Sequence, residues 1–288
     1  MGKDAFSGYH PVINFIFFVE VLMFSMCFMH PVSLSISLVC SMAYAVFLGG
    51  KKTLRFYLRL LLPMMLMAAV LNPAFNHQGV TVLTYLPSGN PLTMESIVYG
   101  FAAAVMLASV VMWFSCYNTV MTSEKFVYLF GRIIPALSLV LSMTLRFVPR
   151  FKAQLQTIRE AQACVGRDGK GLKHAVAVLS ILVTWSLENA IETADSMKSR
   201  GYGLPGRTAF SLYRFQNRDV AALVWLLACG GFVIAGWISG SFEFLYFPVI
   251  DGMLIPSCFH AVYLALCLTP VIFHGLEDRK WKHLQYET

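Results

Sequence analysis

With 57% hydrophobic and only 13% charged residues over 288 positions, the chain is too apolar for a soluble domain, where about a quarter of residues carry charge. It reads as a polytopic membrane protein. Its net charge of +7 does not point to nucleic acid, because the basic residues lie between apolar runs, where membrane topology and anionic lipid account for them.

Lys3 is followed by no Lys or Arg until Lys51. Two apolar runs, about 12–29 and 32–48, fill that interval and are separated by His30-Pro31. Each approaches the roughly 17 to 25 residues that cross a bilayer, so a helical hairpin with a tight outer turn is expected. One lysine ahead of a run with no small-residue cleavage site does not make a signal peptide, and the segment is expected to remain as an anchor. Glu20 lies inside the first run. Facing lipid it costs at least roughly 2.5 kcal/mol, so it is expected to face protein or snorkel, either as a packing carboxylate or as a contact with a partner subunit.

Lys51, Lys52, Arg55 and Arg59 are expected to form a basic loop, after which no Lys or Arg occurs until Lys125. The chain must leave the cytoplasm and return across that interval, with a third span near 56–71 and a fourth near 97–117. The outer segment between them carries turn and edge-strand chemistry: Asn72-Pro73, Gly79, a β-like 81–85 and Pro87-Ser88-Gly89-Asn90-Pro91. Thr93 suits the N-cap of the fourth span and Glu95 its first turn, where an acid complements the helix dipole.

From Lys125 to Arg218 the chain holds 14 of its 22 Lys and Arg residues, which assigns this stretch to the cytoplasmic side. Two parts of it, 133–145 and 175–187, are apolar enough to suggest spans. A spanning pair would strand Arg146, Arg150, Lys152, Arg159, Arg167, Lys170 and Lys173 outside, against the positive-inside bias. Both are therefore expected to be long helices at or below the inner membrane surface. The second, over 175–200, extends about 39 Å at 1.5 Å per residue, while Pro149 and Gly166 divide the stretch before it.

A breaker-rich linker, 202–206, follows Gly201. Two more spans, about 220–238 and 253–273, flank an outer loop with Glu243 and Asp251 but no basic residue, and Arg279, Lys280 and Lys282 bring the C-terminus back to the cytoplasm. The expected fold is all-α and polytopic, with about six transmembrane helices, long cytoplasmic helices and both termini inside. It divides into a membrane region of about four spans at 1–123, a cytoplasmic or interfacial region of long helices at 124–218 and a second membrane region of about two spans at 219–288.

Local catalytic motifs are missing. The seven histidines are isolated and the seven cysteines form no C-x-x-C pair, so no metal hydrolase, redox centre or acyl-transfer site assembles from sequence. The run from Gly166 to Gly171 lacks the spacing of a phosphate loop and any strand before it, and no cofactor is expected in this chain. Ser199-Arg200-Gly201 has a simple reading as a helix end, with Arg in the last turn and Gly just beyond. A guanidinium at the tip of a long cytoplasmic helix is also suited to bidentate pairing with a carboxylate on a docking protein.

Several stretches together carry a family resemblance: His10-Pro11, Asn72-Pro73-x-Phe75 with Gly79 and Thr81, Arg146-Phe147-x-Pro149, Ala161-Gln162, Ser186-Leu187-Glu188 and Ala194-x-x-Met197-Lys198-Ser199-Arg200-Gly201-Tyr202-Gly203. The chain resembles the transmembrane T component of energy-coupling-factor transporters, ABC importers of vitamins and transition-metal ions. The resemblance implies a non-catalytic subunit of the plasma membrane, with ATP and magnesium bound by two partner ATPases and the substrate read by a small membrane-embedded S component. It also implies two Ala-Arg-Gly signatures at the ends of crossed coupling helices, each docking into a groove on one ATPase. The second signature corresponds to Ser199-Arg200-Gly201. The first aligns with Cys164-Val165-Gly166, where the Arg is missing; either Arg167 takes its place or that groove is held by apolar contact, an asymmetry that fits two non-identical ATPases. Glu20 is a candidate contact with the S component. Two other classes compete: a self-contained permease, which needs broken polar helices at the bilayer midplane, and a membrane-embedded enzyme using Glu20, His77 or Asp251.

Overall fold

Proline follows histidine at the start of both opening helices, and the computed structural model shows why. It describes residues 4–76, 78–85, 91–131, 135–166, 169, 171–204, 213–252 and 255–286. Helix α1 (Pro11–Cys27) and helix α2 (Pro31–Phe75) each begin with proline at N1, and the preceding His10 or His30 side chain accepts the backbone N–H of Val12 or Val32. Proline has no N–H to satisfy there and its fixed φ suits the first turn, so the His-Pro pair both caps a helix and opens it.

Helix α2 corrects two expectations. Lys51, Lys52, Arg55 and Arg59 are helical, with no loop, because the whole change of direction occurs at Gly50, whose φ is 69°. Glycine reaches that region without steric cost, and Lys and Arg are good helix formers on its far side. Asn72-Pro73 does not form the turn either: the helix continues past it to Phe75 and closes with Asn76 N–H donating to the Asn72 carbonyl.

Strands β1 (Val82–Tyr85) and β2 (Pro91–Thr93) form an antiparallel ribbon that leads into α3 (Met94–Val120). Thr93 caps α3 by accepting from Ser96 N, with Glu95 in the first turn, as the sequence predicts. Helices α7 (Asn217–Ile238) and α8 (Cys258–Tyr286) fall on the last two apolar runs. Residues Met1–Thr122 and Arg214–Thr288 make one structural unit, and Ser123–Tyr213 make a second.

The core of the first unit is aromatic and continuous from α1 through α2, α3 and α8, with Phe17, Tyr44, Trp113 and Tyr263 fully buried. Several of its polar side chains pair with one another. Ser25 Oγ lies 2.7 Å from Ser37 Oγ and 3.1 Å from Tyr263 Oη, and Trp113 Nε1 donates to Ser37 Oγ at 3.0 Å. In a membrane setting such hydrogen bonds hold helices where the hydrophobic effect between them is weak. Small residues admit close approach elsewhere: a Cβ on Gly236 of α7 would lie 2.6 Å from the ring of Phe259 on α8.

A second polar node joins the N-terminal segment to the start of α7. Asp219, buried in the first turn, accepts Gln216 N at 2.9 Å and His10 N at 3.4 Å. Beside it Arg218 reaches Glu277 at 3.1 Å and the Gly8 carbonyl at 3.3 Å, and stacks over the Tyr9 ring. Ala5 N and Tyr44 Oη, bonded to His274 and Asp4, extend the anchorage.

Among the described residues five helices are long and apolar enough to cross a membrane: Pro31–Gly50, Met94–Val120, Leu172–Ser199, Asn217–Ile238 and Cys258–Glu277. Pro11–Cys27 and Arg59–Pro73 are apolar but shorter. The chain is thus an all-α, multi-pass membrane protein. The membership differs from the six expected spans, because Leu172–Ser199, expected from its basic surroundings to lie on the cytoplasmic side, qualifies by length and composition. That helix differs in burial: 6% of its apolar stretch is buried, against 33% to 44% in the other four.

Candidate functional site: two helix ends in the second unit

The second unit is built from α4 (Ser123–Gly131), α5 (Pro135–Cys164) and α6 (Leu172–Ser199). Ile133, where the first coupling helix was expected to begin, lies outside the described residues. Pro149 does not divide α5, which runs through it. An internal proline removes one hydrogen bond without necessarily ending a helix, and here the turns on either side stay together, with Phe147 and Phe151 rings 6.1 Å apart. Helices α5 and α6 run antiparallel. Phe151 meets Trp185 edge-on at 5.8 Å, and Ile158 and Val178 are the residues buried nearer the turn.

Both helices end in the same way. In α5, Val165 N bonds to the Ala161 carbonyl at 3.3 Å and Gly166 N to the Ala163 carbonyl at 3.0 Å. In α6, Arg200 N bonds to the Ser196 carbonyl at 3.3 Å and Gly201 N to the Lys198 carbonyl at 3.0 Å. The two glycines have φ of 73° and 77°, the left-handed conformation that ends a helix and that other residues adopt at a cost. At α6 the pattern completes a Schellman motif, with Tyr202 N donating to the Met197 carbonyl at 3.0 Å.

The equivalence aligns the two triplets residue by residue. Cys164 and Ser199 are the last helical residues, Val165 and Arg200 the C-caps, and Gly166 and Gly201 the terminators. Val165 is 73% exposed, and Arg200 is exposed as well. An apolar side chain and a guanidinium therefore project from the same position of two like helix ends. Arg167 lies outside the described residues. Capping accounts for the glycines but not for what stands before them, since a helix end has no need of an exposed valine. The first end lies at the turn into α6 and the second at the far end of that helix, about 42 Å on for 28 residues at 1.5 Å each.

The other sequence candidates sit elsewhere. Glu20 turns toward α7: a Cβ on Gly230 would lie 2.8 Å from its Oε1, and its buried Oε2 has no hydrogen-bond partner among the described residues. Asp251 pairs through its backbone with Leu245, and His77 lies outside the described residues. Among the described residues no three His, Cys, Asp or Glu side chains gather as metal ligands. Sequence reasoning missed Asp219. Its spacing from Gln216 is that of a capping box, a readable signal, but its bond to His10 across 209 positions is not.

No family model matches the chain. Among curated proteins it is 34% identical over 108 residues, 35% of this chain and 39% of the relative, to the energy-coupling factor transporter transmembrane protein EcfT of Lactobacillus helveticus. It is 36% identical over 106 residues, 34% of this chain and 40% of the relative, to EcfT 1 of Listeria monocytogenes. A longer match, 29% identical over 174 residues, covers 54% of this chain and 65% of the EcfT protein of Bacillus selenitireducens. The chain thus spans about two fifths of the length of the first two relatives.

Proposed function

We propose, since this chain is a relative of the energy-coupling factor transporter transmembrane proteins, that it is the T subunit of such a transporter. In this role it transmits the ATP-driven motion of two ATPase subunits to a substrate-binding S component, for uptake of a vitamin or a transition-metal ion. It lies in the plasma membrane with both termini in the cytoplasm and performs no chemistry itself. ATP and magnesium belong to the ATPases.

The observation that carries this reading is the pair of equivalent helix ends on one helical hairpin, about 42 Å apart along α6. A pair of matching, exposed tips suits a pair of related partners. Ser199-Arg200-Gly201 docks by a charge-assisted contact between Arg200 and an acid in one ATPase groove. Cys164-Val165-Gly166 docks by apolar contact of Val165 in the other, and the two ATPases are not identical. The apolar residues of α6 that remain exposed, among them Val176, Leu179, Val183, Leu187 and Ile191, then find cover against the S component and the membrane, as exposed apolar surface of this extent requires.

Co-purification tests the assignment. A tagged chain extracted from its own membranes should bring down two ATPases and one small hydrophobic protein. Glu20→Gln should leave the ATPases bound and weaken retention of the small protein, because Glu20 Oε2 has no donor within the described residues. Recovery of the chain alone, under conditions that preserve its fold, sinks the assignment.

Topology is tested separately. Cysteines introduced by Arg159→Cys and Lys173→Cys should react with a membrane-impermeant maleimide only from the cytoplasmic side. Labelling from outside would turn α5 and α6 into a spanning pair and remove the coupling role.

A further inference from the structure

Between Arg59 and Glu95 the chain contains no Lys, Arg, Asp or Glu, and part of this stretch folds into an exposed apolar ribbon. Every residue of β1 is exposed; Leu83 is 56% and Tyr85 70% open, and Val80 just before them 67%. The ribbon is not a slack loop. The Glu95 carboxylate accepts from Thr81 N at 3.1 Å and Thr81 Oγ1 at 2.8 Å, Thr93 Oγ1 donates to the Gln78 carbonyl, and Ser96 Oγ donates to the Asn76 carbonyl. Gly79, with φ of 138°, packs so closely that a Cβ there would lie 2.6 Å from a Glu95 oxygen. The base of the ribbon is therefore clamped to the start of α3, and its apolar side chains are held outward. The exposed apolar surface continues along α2 through Leu66, Met67, Val70, Leu71 and Phe75.

Two environments do not suit this element. Bulk water is unfavourable for a clamped surface bearing valine, leucine and tyrosine with no charge among them. The hydrocarbon core is unfavourable because, among the described residues, the sheet has two strands, each with an edge whose N–H and C=O groups have no ladder partner there, and lipid tails cannot supply one. The headgroup interface satisfies both demands: it hydrates backbone edges and accepts apolar and aromatic side chains. The part of helix α2 beyond Gly50 leads toward this zone and ends at Phe75; its exposed apolar face belongs to a multi-pass membrane protein and is lipid-facing by the same reasoning.

We propose that the ribbon, residues 78–85 with 91–93, is a membrane-interface contact whose partner is the lipid surface, fixing the depth and tilt of the α2–α3 pair. This contact is independent of the helix ends assigned to the ATPases. The probe is the full chain in nanodiscs of phosphatidylcholine and phosphatidylglycerol, with Cys27→Ser, Cys164→Ser and Cys258→Ser, carrying an environment-sensitive fluorophore at Leu83→Cys or, separately, Val80→Cys. Lipid with a nitroxide high on its acyl chain should quench the probe at least about twofold more than lipid with the nitroxide near the chain end or an aqueous quencher, as an interfacial depth requires. Stronger quenching from water at both positions overturns the proposal. So does shielding from both water and lipid that appears only when the chain is purified with its partners, which assigns the ribbon to a protein contact. If Leu83→Cys does not fold, Val80→Cys, outside the paired residues, gives the same reading.

Discussion

Arg200→Ala is expected to weaken association with one ATPase tenfold to hundredfold while leaving α6 intact. The Gly201 cap is made by backbone groups, so the helix end survives the substitution. What is lost is a charge-assisted hydrogen bond, worth about 1.5 to 3 kcal/mol, at about 1.4 kcal/mol per tenfold change in affinity. Arg200→Lys should restore little, because an ammonium cannot reproduce the planar fork of the guanidinium. At the other end the equivalence of the caps puts Val165 in the place of Arg200. Val165→Asp should therefore weaken the second ATPase contact, by forcing a charge into an apolar socket, and Arg167→Ala should change it little. A loss for Arg167→Ala as large as that for Arg200→Ala would mean that an arginine acts from two positions beyond the cap. If none of these variants alters ATPase binding in a pull-down or ATP-driven uptake in vesicles, the helix ends are not the docking elements.

Asp219→Ala should destabilise the first unit by about 2 to 3 kcal/mol, the loss of a helix cap together with a charge-assisted hydrogen bond to a buried N–H. The carboxylate serves both Gln216 N and His10 N and is 2% exposed, so water does not readily replace it. Asp219→Asn keeps one acceptor oxygen and loses the charge that favours a helix N-terminus, about 0.3 to 1 kcal/mol, and should be the milder change. Thermal unfolding of the detergent-solubilised chain measures both. Equal losses for Ala and Asn would mean that charge, not the pair of hydrogen bonds, sets the contribution of this node. No loss for Ala would mean that the N-terminal segment is held by its aromatic contacts and its other hydrogen bonds without this node. The aromatic contacts are substantial: Phe6 is fully buried and packs against Phe17 at 5.1 Å. Arg218, by contrast, forms an exposed ion pair with Glu277, of the kind that contributes at most about 1 kcal/mol.

Much of the candidate site is written in short-range chemistry. Gly166 and Gly201 mark two helix ends because a left-handed C-terminal cap depends on that residue and the carbonyls of the turn before it. The alignment of Cys164-Val165-Gly166 with Ser199-Arg200-Gly201 is implied by the family resemblance, and the cap hydrogen bonds give it a geometric basis. What the resemblance leaves open is whether the helix stops at Gly166 or carries on toward Arg167. Hydrogen bonding decides this, since Gly166 N returns to Ala163 and leaves Val165 as the C-cap.

The sequence by itself determined the apolar class of the chain, the break between two helices at His30-Pro31, the Thr93 cap with Glu95 behind it, and the glycine stops, because each depends on composition or on groups within about four residues of one another. It misled at Pro149 and at Lys51 to Arg59. Proline's bias against helix yields when the neighbouring turns hold together, and Gly50 reorients the chain at a single residue where a loop of several was expected. Only the tertiary structure decided that Asp219 meets His10, that Ser37 joins Ser25 to Trp113, and that Glu20 faces Gly230. These contacts join positions up to 210 residues apart, and a local pattern carries no record of which distant helix face will close over it.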